Sequence, residues 1–181
     1  MLFNPMRLTL KDGREAVLRV AEPEDAEAMV RYLRDTAEET EFVLRYPEEC
    51  HWTLEQERTL LQNFKDNPNS LMLCCFVGSE LAGNCNLQFF PQMKCRHRAS
   101  VAIALYKAFW GQGIGSAMFE AMIAVARERG VEQIELEYID GNARGRALYE
   151  KMGFVRVGEH TDAIKLRDGS YRSLVFMIKK L

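Results

Sequence analysis

The sequence predicts a mixed α/β fold, and three features predict it. Short runs of alternating apolar and polar residues recur along the 181-residue chain. Amphipathic stripes with a period of about 3.6 fall between some of these runs, while other runs follow one another directly. A glycine-rich turn, Gly111-Gln112-Gly113-Ile114-Gly115-Ser116, opens the most apolar of those stripes. Hydrophobic residues make up 48% and charged residues 28% of the chain, a balance that lets a chain of this length bury a core. A single domain over residues 1–181 is expected.

Arg14–Val20 alternates apolar and charged residues and reads as the first strand. Pro23, with Glu22, Glu24 and Asp25 in a turn where the helix dipole favours carboxylates, opens a helix with the stripe Ala26, Met29, Val30, Leu33. The connection Thr40–Trp52 carries Phe42, Leu44, Tyr46 and Trp52 without a clean period, so it is either cover for the core or a wall of an acceptor pocket. Thr53-Leu54-Glu55-Gln56 is a capping box, and the helix it launches buries Leu60, Leu61 and Phe64 and stops before Asn67-Pro68. Leu71–Val77, the turn Gly78-Ser79-Glu80 and Leu81–Phe90 form a hairpin, followed by a strand over Arg98–Leu105. The helix after the glycines has its stripe at Ile114, Ala117, Met118, Ala121, Met122 and Val125, and runs to Arg129 with Gly130 as C-cap. Gln133–Ile139 is a strand with one apolar face, and Asn142–Met152 is a helix ended by Gly153. Phe154–Glu159 and Tyr171–Lys179 close the chain as strands around an Asp168-Gly169 turn. The order is β-α-α-β-β-β-α-β-α-β-β.

Composition removes several functional classes. A net charge of −2 gives no general attraction to nucleic acid or to an anionic membrane. Lys94, Arg96 and Arg98, with His97, form a compact basic cluster that reads as a solvated loop. Five cysteines without a C-x-x-C spacing point to a reduced, cytoplasmic protein that uses them as small apolar residues; in a strand, vicinal Cys74 and Cys75 face opposite ways. Zinc-site spacings are absent, so no metal is expected. Met1–Leu10 has no apolar core of signal-peptide length, and no run approaches the ~18 apolar residues of a membrane span.

The glycine turn carries the chemistry. The first N–H groups of a helix have no intrahelical partner and lie at the positive end of its dipole. Glycines there let a bulky anion reach the backbone, and Ser116 adds a hydroxyl donor, which together make a phosphate or pyrophosphate cradle. It is not a P-loop, because no Lys-Ser or Lys-Thr follows the glycines. A dinucleotide fingerprint also fails: the third glycine comes one residue early, and residues 106–110 separate the loop from the preceding strand.

Two segments then converge on one family. Trp110-Gly111-Gln112-Gly113-Ile114-Gly115 resembles the Q/R-x-x-G-x-G/A acetyl-CoA signature of the GNAT superfamily of N-acetyltransferases. Asn142-Ala143-Arg144-Gly145-Arg146-Ala147-Leu148-Tyr149-Glu150-Lys151-Met152-Gly153-Phe154 resembles that family's N-x-x-A-x-x-L-Y-x-K-x-G-F run, in matching order and spacing. The resemblance is clear over residues 80–160. It implies the GNAT fold, a mixed central sheet of about six to seven strands flanked by about four helices. Two departures stand out: Trp110 occupies the position usually held by Arg or Gln, removing one side-chain contact to the cofactor phosphates, and Gly145-Arg146 replaces the usual Ala-Ile, which predicts looser packing of that helix.

The resemblance further implies acetyl-CoA as cosubstrate and an amine acceptor, with Trp110, Gly111, Gln112, Gly113, Ile114, Gly115 and Ser116 at the phosphates and Lys151 among the cofactor contacts. Two parallel strands of the fold splay, and the pantetheine arm pairs with the first; here that strand ends at Leu105-Tyr106, whose backbone is expected to pair with pantetheine amides and polarise the thioester carbonyl. Asn142, at a helix start, suits an N-cap, and the resemblance adds a cofactor amide contact. Tyr149 is the expected proton donor to the departing thiolate, since a phenol stays protonated at neutral pH. Without the resemblance it reads as an amphipathic core tyrosine. For the base, Glu137 is the first candidate, with Glu135 and His97 as alternatives. The leading reading is transfer of acetyl to a primary amine of a small molecule or peptide by direct attack in a ternary complex. A non-catalytic acyl-CoA-binding regulatory module on the same fold is the alternative. Amino acid, polyamine, aminoglycoside and protein N-terminus all remain open as acceptors, and many relatives pair, so a homodimer is a state the resemblance allows.

Overall fold

In the computed structural model, which describes residues 3–181, the extended runs pair into one sheet of eight strands. They are β1 (Met6–Thr9), β2 (Glu15–Val20), β3 (Ser70–Val77), β4 (Glu80–Phe89), β5 (Arg98–Leu105), β6 (Gln133–Ile139), β7 (Val155–Lys165) and β8 (Tyr171–Lys180), in the spatial order β1-β2-β3-β4-β5-β6-β8-β7. Four α-helices accompany them among the described residues: α1 (Ala26–Glu39), α2 (Leu54–Asp66), α3 (Ile114–Glu128) and α4 (Ala143–Lys151). Met1 and Leu2, part of the N-terminal stretch read for a targeting signal, lie outside the described residues. No helix among the described residues is long and apolar enough to cross a membrane.

The sheet has one strand more than the sequence predicts. Met6–Thr9 folds back on β2 through a turn at Gly13, whose φ of 86° suits glycine. With four residues, it is too short for a periodicity to register. The strand expected at Phe154–Glu159 instead runs to Lys165, with register shifts at Arg156/Gly158 and His160/Ile164 and Asp162 at φ 53°. Such irregularities suit an edge strand, which they discourage from further pairing.

Helices cover the two faces unequally. On one face α3 and α4 set Met118, Phe119, Met122 and Tyr149 against Leu73, Cys75, Leu87, Val101, Ile134 and Leu136. On the other, α1 and α2 set Ala26, Met29, Tyr32 and Leu61 against Met72 and Cys74. The vicinal cysteines thus divide between the two cores, and burial pushes both thiols up, Cys75 to about 11. The buried stripe of α1 is Ala26, Met29, Tyr32 and Thr36, while Val30 and Leu33 of the predicted stripe are half-buried. The capping box at α2 forms in both directions: Gln56 N–H donates to Thr53 Oγ1 (3.2 Å) and Thr53 N–H to Gln56 Oε1 (2.9 Å).

All strand pairs are antiparallel except β5 and β6, which are paired in parallel over three rungs only, Arg98/Gln133, Ala99/Ile134 and Ser100/Glu135. Beyond Ser100 they diverge. β5 stays on β4 as far as Leu105, and the two backbones come close there: a Cβ added at Gly83 would stand 2.5 Å from the Ala104 carbonyl oxygen and 2.8 Å from Leu105 Cα. Gly83→Ala is therefore expected to destabilise the fold by about 1–3 kcal/mol through overpacking. The measurement is a denaturant midpoint at unchanged slope; a variant as stable as the parent would refute this close approach.

Candidate active site

Backbone groups in the gap between β5 and β6 follow from strand alternation. Tyr106 N–H donates to Ala82 O on β4 (3.0 Å), so it is turned away from the gap. Leu105 C=O is already engaged, accepting the indole N–H of Trp110 (2.9 Å). Of the expected pair Leu105-Tyr106, Leu105 thus shares the gap-facing side of β5 with its carbonyl already engaged, while Tyr106 N–H is turned to β4. With Tyr106 directed at β4, the residues of β5 that present N–H and C=O toward the gap past the last rung are Val101 and Ile103, ahead of Leu105.

The end of β5 is held from several sides. Tyr106 Oη donates to Asp35 of α1 (2.9 Å), and Lys107 N–H donates to Glu39 (2.8 Å). Tyr32 meets the Tyr106 ring edge-on at 5.1 Å. None of these α1 partners carries a signal readable in the sequence, because each contact joins segments some 70 residues apart.

The three glycines of the loop serve different needs. Gly111 and Gly113 have φ of 77° and 97°, a region costly to other residues, and an added Cβ would meet nothing within 4 Å. They leave an open concavity before α3, where the N–H groups of Ile114, Gly115 and Ser116 lack helical acceptors. Gly115 answers to packing instead: a Cβ there would lie 2.9 Å from Leu148 Cδ2 of α4 and 3.7 Å from Leu105 Cδ1. Ile114 is buried, so its side chain belongs to the core and only its N–H faces the loop. Gln112 is drawn away to the β1–β2 turn, where its Oε1 accepts Asp12 N–H (3.2 Å) and its carbonyl accepts Lys11 N–H (3.4 Å).

From α4, Lys151 Nζ donates to Ser116 Oγ at 3.0 Å, which brings a cation to the first turn of α3. Asn142 is the N-cap, its Oδ1 accepting Gly145 N–H at 2.8 Å. A Cβ at Gly145 would come within 2.7 Å of the Asn142 amide nitrogen, so this glycine, expected to loosen the helix, makes room for its cap. Tyr149 is buried against Phe119 of α3 and Tyr138 of β6, with ring centroids at 5.8 Å and 5.6 Å, and burial pushes its phenol up to about 12. One group that sequence reasoning did not single out is Arg144, whose guanidinium lies over the Trp110 ring at 4.9 Å.

The three base candidates separate by position. His97 precedes β5 at the end far from the glycines, roughly 25 Å from Leu105 at about 3.3 Å per residue. Glu135 sits on the last paired rung, bound to Arg98 at 2.9 Å. Glu137 lies two residues further along β6, past the last rung, exposed and facing away from the Leu136 and Tyr138 side. That face is uncovered at β6: α2 sits over β3 and α1 over β4, leaving Ala102 exposed on a central strand. Part of the aromatic connection reaches over it. Phe42 Cε1 comes within 3.7 Å of a Cβ built at Gly141, and the Tyr46 hydroxyl accepts Arg167 N–H at 3.1 Å, while Arg167 also pairs with Glu48.

The positive-φ glycines, free helix N–H groups, Ser116 and Lys151 suit a diphosphate, and an unpaired strand edge running from them suits an extended amide-bearing arm. The comparisons agree with this geometry. The model of the acetyltransferase (GNAT) family matches residues 26–154, and the chain belongs to that family. Over 51 residues it is 49% identical to mycothiol acetyltransferase of Beutenbergia cavernae; the match takes in 28% of this chain and 17% of that protein, so the chain spans under a fifth of that relative. An acetyltransferase of the GNAT family from Streptococcus pneumoniae superposes with a TM-score of 0.85 at 26% identity, covering 92% of this chain and 99% of that one. The yncA protein of Salmonella typhimurium, solved with its cofactor acetyl-CoA, shares the fold with a TM-score of 0.78 at 16% identity over 92% of this chain and 94% of its own.

Proposed function

We propose that this member of the acetyltransferase (GNAT) family is a single domain, residues 1–181, that transfers an acetyl group from acetyl-CoA to a primary amine of a small molecule or peptide in the cytoplasm. The observation that carries the reading is the joining of a glycine cradle to an unpaired strand edge: the open glycines Gly111 and Gly113 follow the end of β5, which is unpaired with β6 beyond Ser100. Acetyl-CoA supplies the thioester, and the chain supplies position and proton handling.

The first-turn N–H groups of α3, with Ser116 and Lys151, would hold the diphosphate. Val101 and Ile103 would pair with the pantetheine amides, and a strand N–H aimed at the thioester oxygen stabilises the charge that develops there. An amine arriving over the uncovered face of β5 and β6, beneath Phe42, passes Glu137. Alkylamines of reference pKa about 10 arrive protonated, so Glu137, directly or through water, takes the proton and frees the nitrogen lone pair. The C–N bond then forms, the C–S bond breaks, and the electron pair leaves on sulfur. The nitrogen gives up its second proton to water, from which the phenol of Tyr149 is reloaded after its own transfer. Tyr149 returns a proton to that sulfur. Burial keeps this phenol loaded, and a thiolate in the same dry setting is a correspondingly stronger base.

A panel of amines, scored by release of coenzyme A thiol, tests the reading. Tight acetyl-CoA binding with no thiol release on any amine would favour the non-catalytic module. Tyr149→Phe keeps the ring contacts and deletes the hydroxyl. It should lower turnover by about 10²–10⁴-fold, with little change in acetyl-CoA affinity, where chemistry limits the rate. Since burial pushes its phenol above the ordinary tyrosine range, an alkaline loss of activity centred near pH 10 should not trace to Tyr149. Glu137→Gln should depress the rate more at neutral pH than at high pH, where free amine is abundant; equal losses at both would remove Glu137 as the relay.

A further inference from the structure

We propose that Arg144 holds a phosphate of the coenzyme, supplying from α4 the side-chain contact that an Arg or Gln at the first position of the glycine signature would make. The inference rests on the acetyl-CoA reading above. Trp110 stands at that first position, and its one donor, the indole N–H, is spent on Leu105 C=O. The position itself therefore has nothing left for an anion. The same hydrogen bond fixes the indole plane, and Arg144 lies over it with its guanidinium carbon 4.9 Å from the ring centroid. Trp110 directly precedes Gly111, so this guanidinium stands at the lip of the open concavity.

Its charge is uncompensated. Among the described residues no carboxylate lies within ion-pair distance of Arg144, whereas Arg146, two residues on, is paired with Glu150 at 2.8 Å. Lys107, 5.9 Å from the same indole, is likewise without a carboxylate partner among the described residues. Stacking on an aromatic face leaves the N–H edges of a guanidinium free, and those edges match two phosphate oxygens at once. A planar group pre-oriented by an indole also loses less freedom on binding than a free side chain. Trp110 thus acts as a platform.

Calorimetric titration decides the proposal, using acetyl-CoA and its 3′-dephospho analogue against wild type, Arg144→Gln, Arg144→Lys and Arg146→Gln. Arg144 is exposed, and unchanged thermal unfolding would show the variants to be folded. Arg144→Gln should weaken acetyl-CoA binding roughly ten- to hundredfold, the loss of a charge-assisted pair. Arg144→Lys, a point charge without the fork, should recover only part of it, and Arg146→Gln should bind as wild type. A loss that persists against the dephospho analogue places Arg144 at the diphosphate; a loss that disappears there places it at the 3′-phosphate. Undiminished acetyl-CoA binding by folded Arg144→Gln overturns the proposal while leaving the acetyl-CoA reading intact. Failure of the wild type to bind acetyl-CoA defeats that reading itself.

Discussion

The divergence of β5 and β6 after three rungs is the constraint on which the rest of the molecule depends. Opening a sheet at its centre leaves donors and acceptors without partners, and such groups are costly wherever water is excluded. The fold tolerates the opening because each diverging strand is fully paired on its other side. β6 is matched to β8 at every residue from Gln133 to Ile139, and β5 to β4 from Ala99 to Leu105. The gap is therefore stiff, held apart by two well-formed ladders. A flexible arm that adds itself to the exposed edge of β5 gains backbone hydrogen bonds without the protein having to order a strand on binding.

Stiffness at the end of β5 draws on charge as well as on the ladder. Asp35 and Glu39, one helical turn apart on α1, take the Tyr106 hydroxyl and the Lys107 N–H. A third acceptor, Leu105 C=O, secures Trp110, and through that ring Arg144. Four polar contacts from three different segments thus converge on the residues between the strand and the glycines, which sets where the cradle stands relative to the gap. Loops positioned this way can carry function without being mobile.

How much of this was legible in the sequence depends on whether the cause is local. The glycine turn and the Asn142 cap were readable, because a positive φ, a free helix end and a side chain folding back three residues are all properties of a short stretch. The succession of strands and helices along the chain followed from periodicity, apart from the short β1. Three things were not readable. Which of Ile103, Leu105 and Tyr106 turns its backbone to the gap depends on which strand lies on which side, and a shift of one residue reverses the answer. The burial of Tyr32 in place of Leu33 reflects where α1 rests on β4 and against Tyr106, a tertiary matter that a helical stripe alone does not decide. Arg144 looked like an ordinary solvated charge on a short helix until the indole beneath it was known. Glu137 lies between these cases: alternation placed it opposite the apolar face, but only the three-rung limit of β5–β6 pairing separates it from Glu135.

The two ends of the site are joined at Gly115. A Cβ there would lie 2.9 Å from a terminal methyl of Leu148, with Leu105 the next neighbour at 3.7 Å, so α3, α4 and the end of β5 meet closely at this point. α4 begins with the Asn142 cap and Arg144, continues through Leu148 at this junction and Tyr149 against Tyr138 of β6, and ends with Lys151 on Ser116. One nine-residue helix therefore carries groups at the cradle, at the junction and against β6. Interactions made far from the reacting bond help catalysis only when they fix the geometry at that bond. A close glycine contact among these three elements is the kind of coupling such a transfer of binding energy requires. Moving α4 outward by the width of a methyl group would displace the phosphate-binding groups and Tyr149 together.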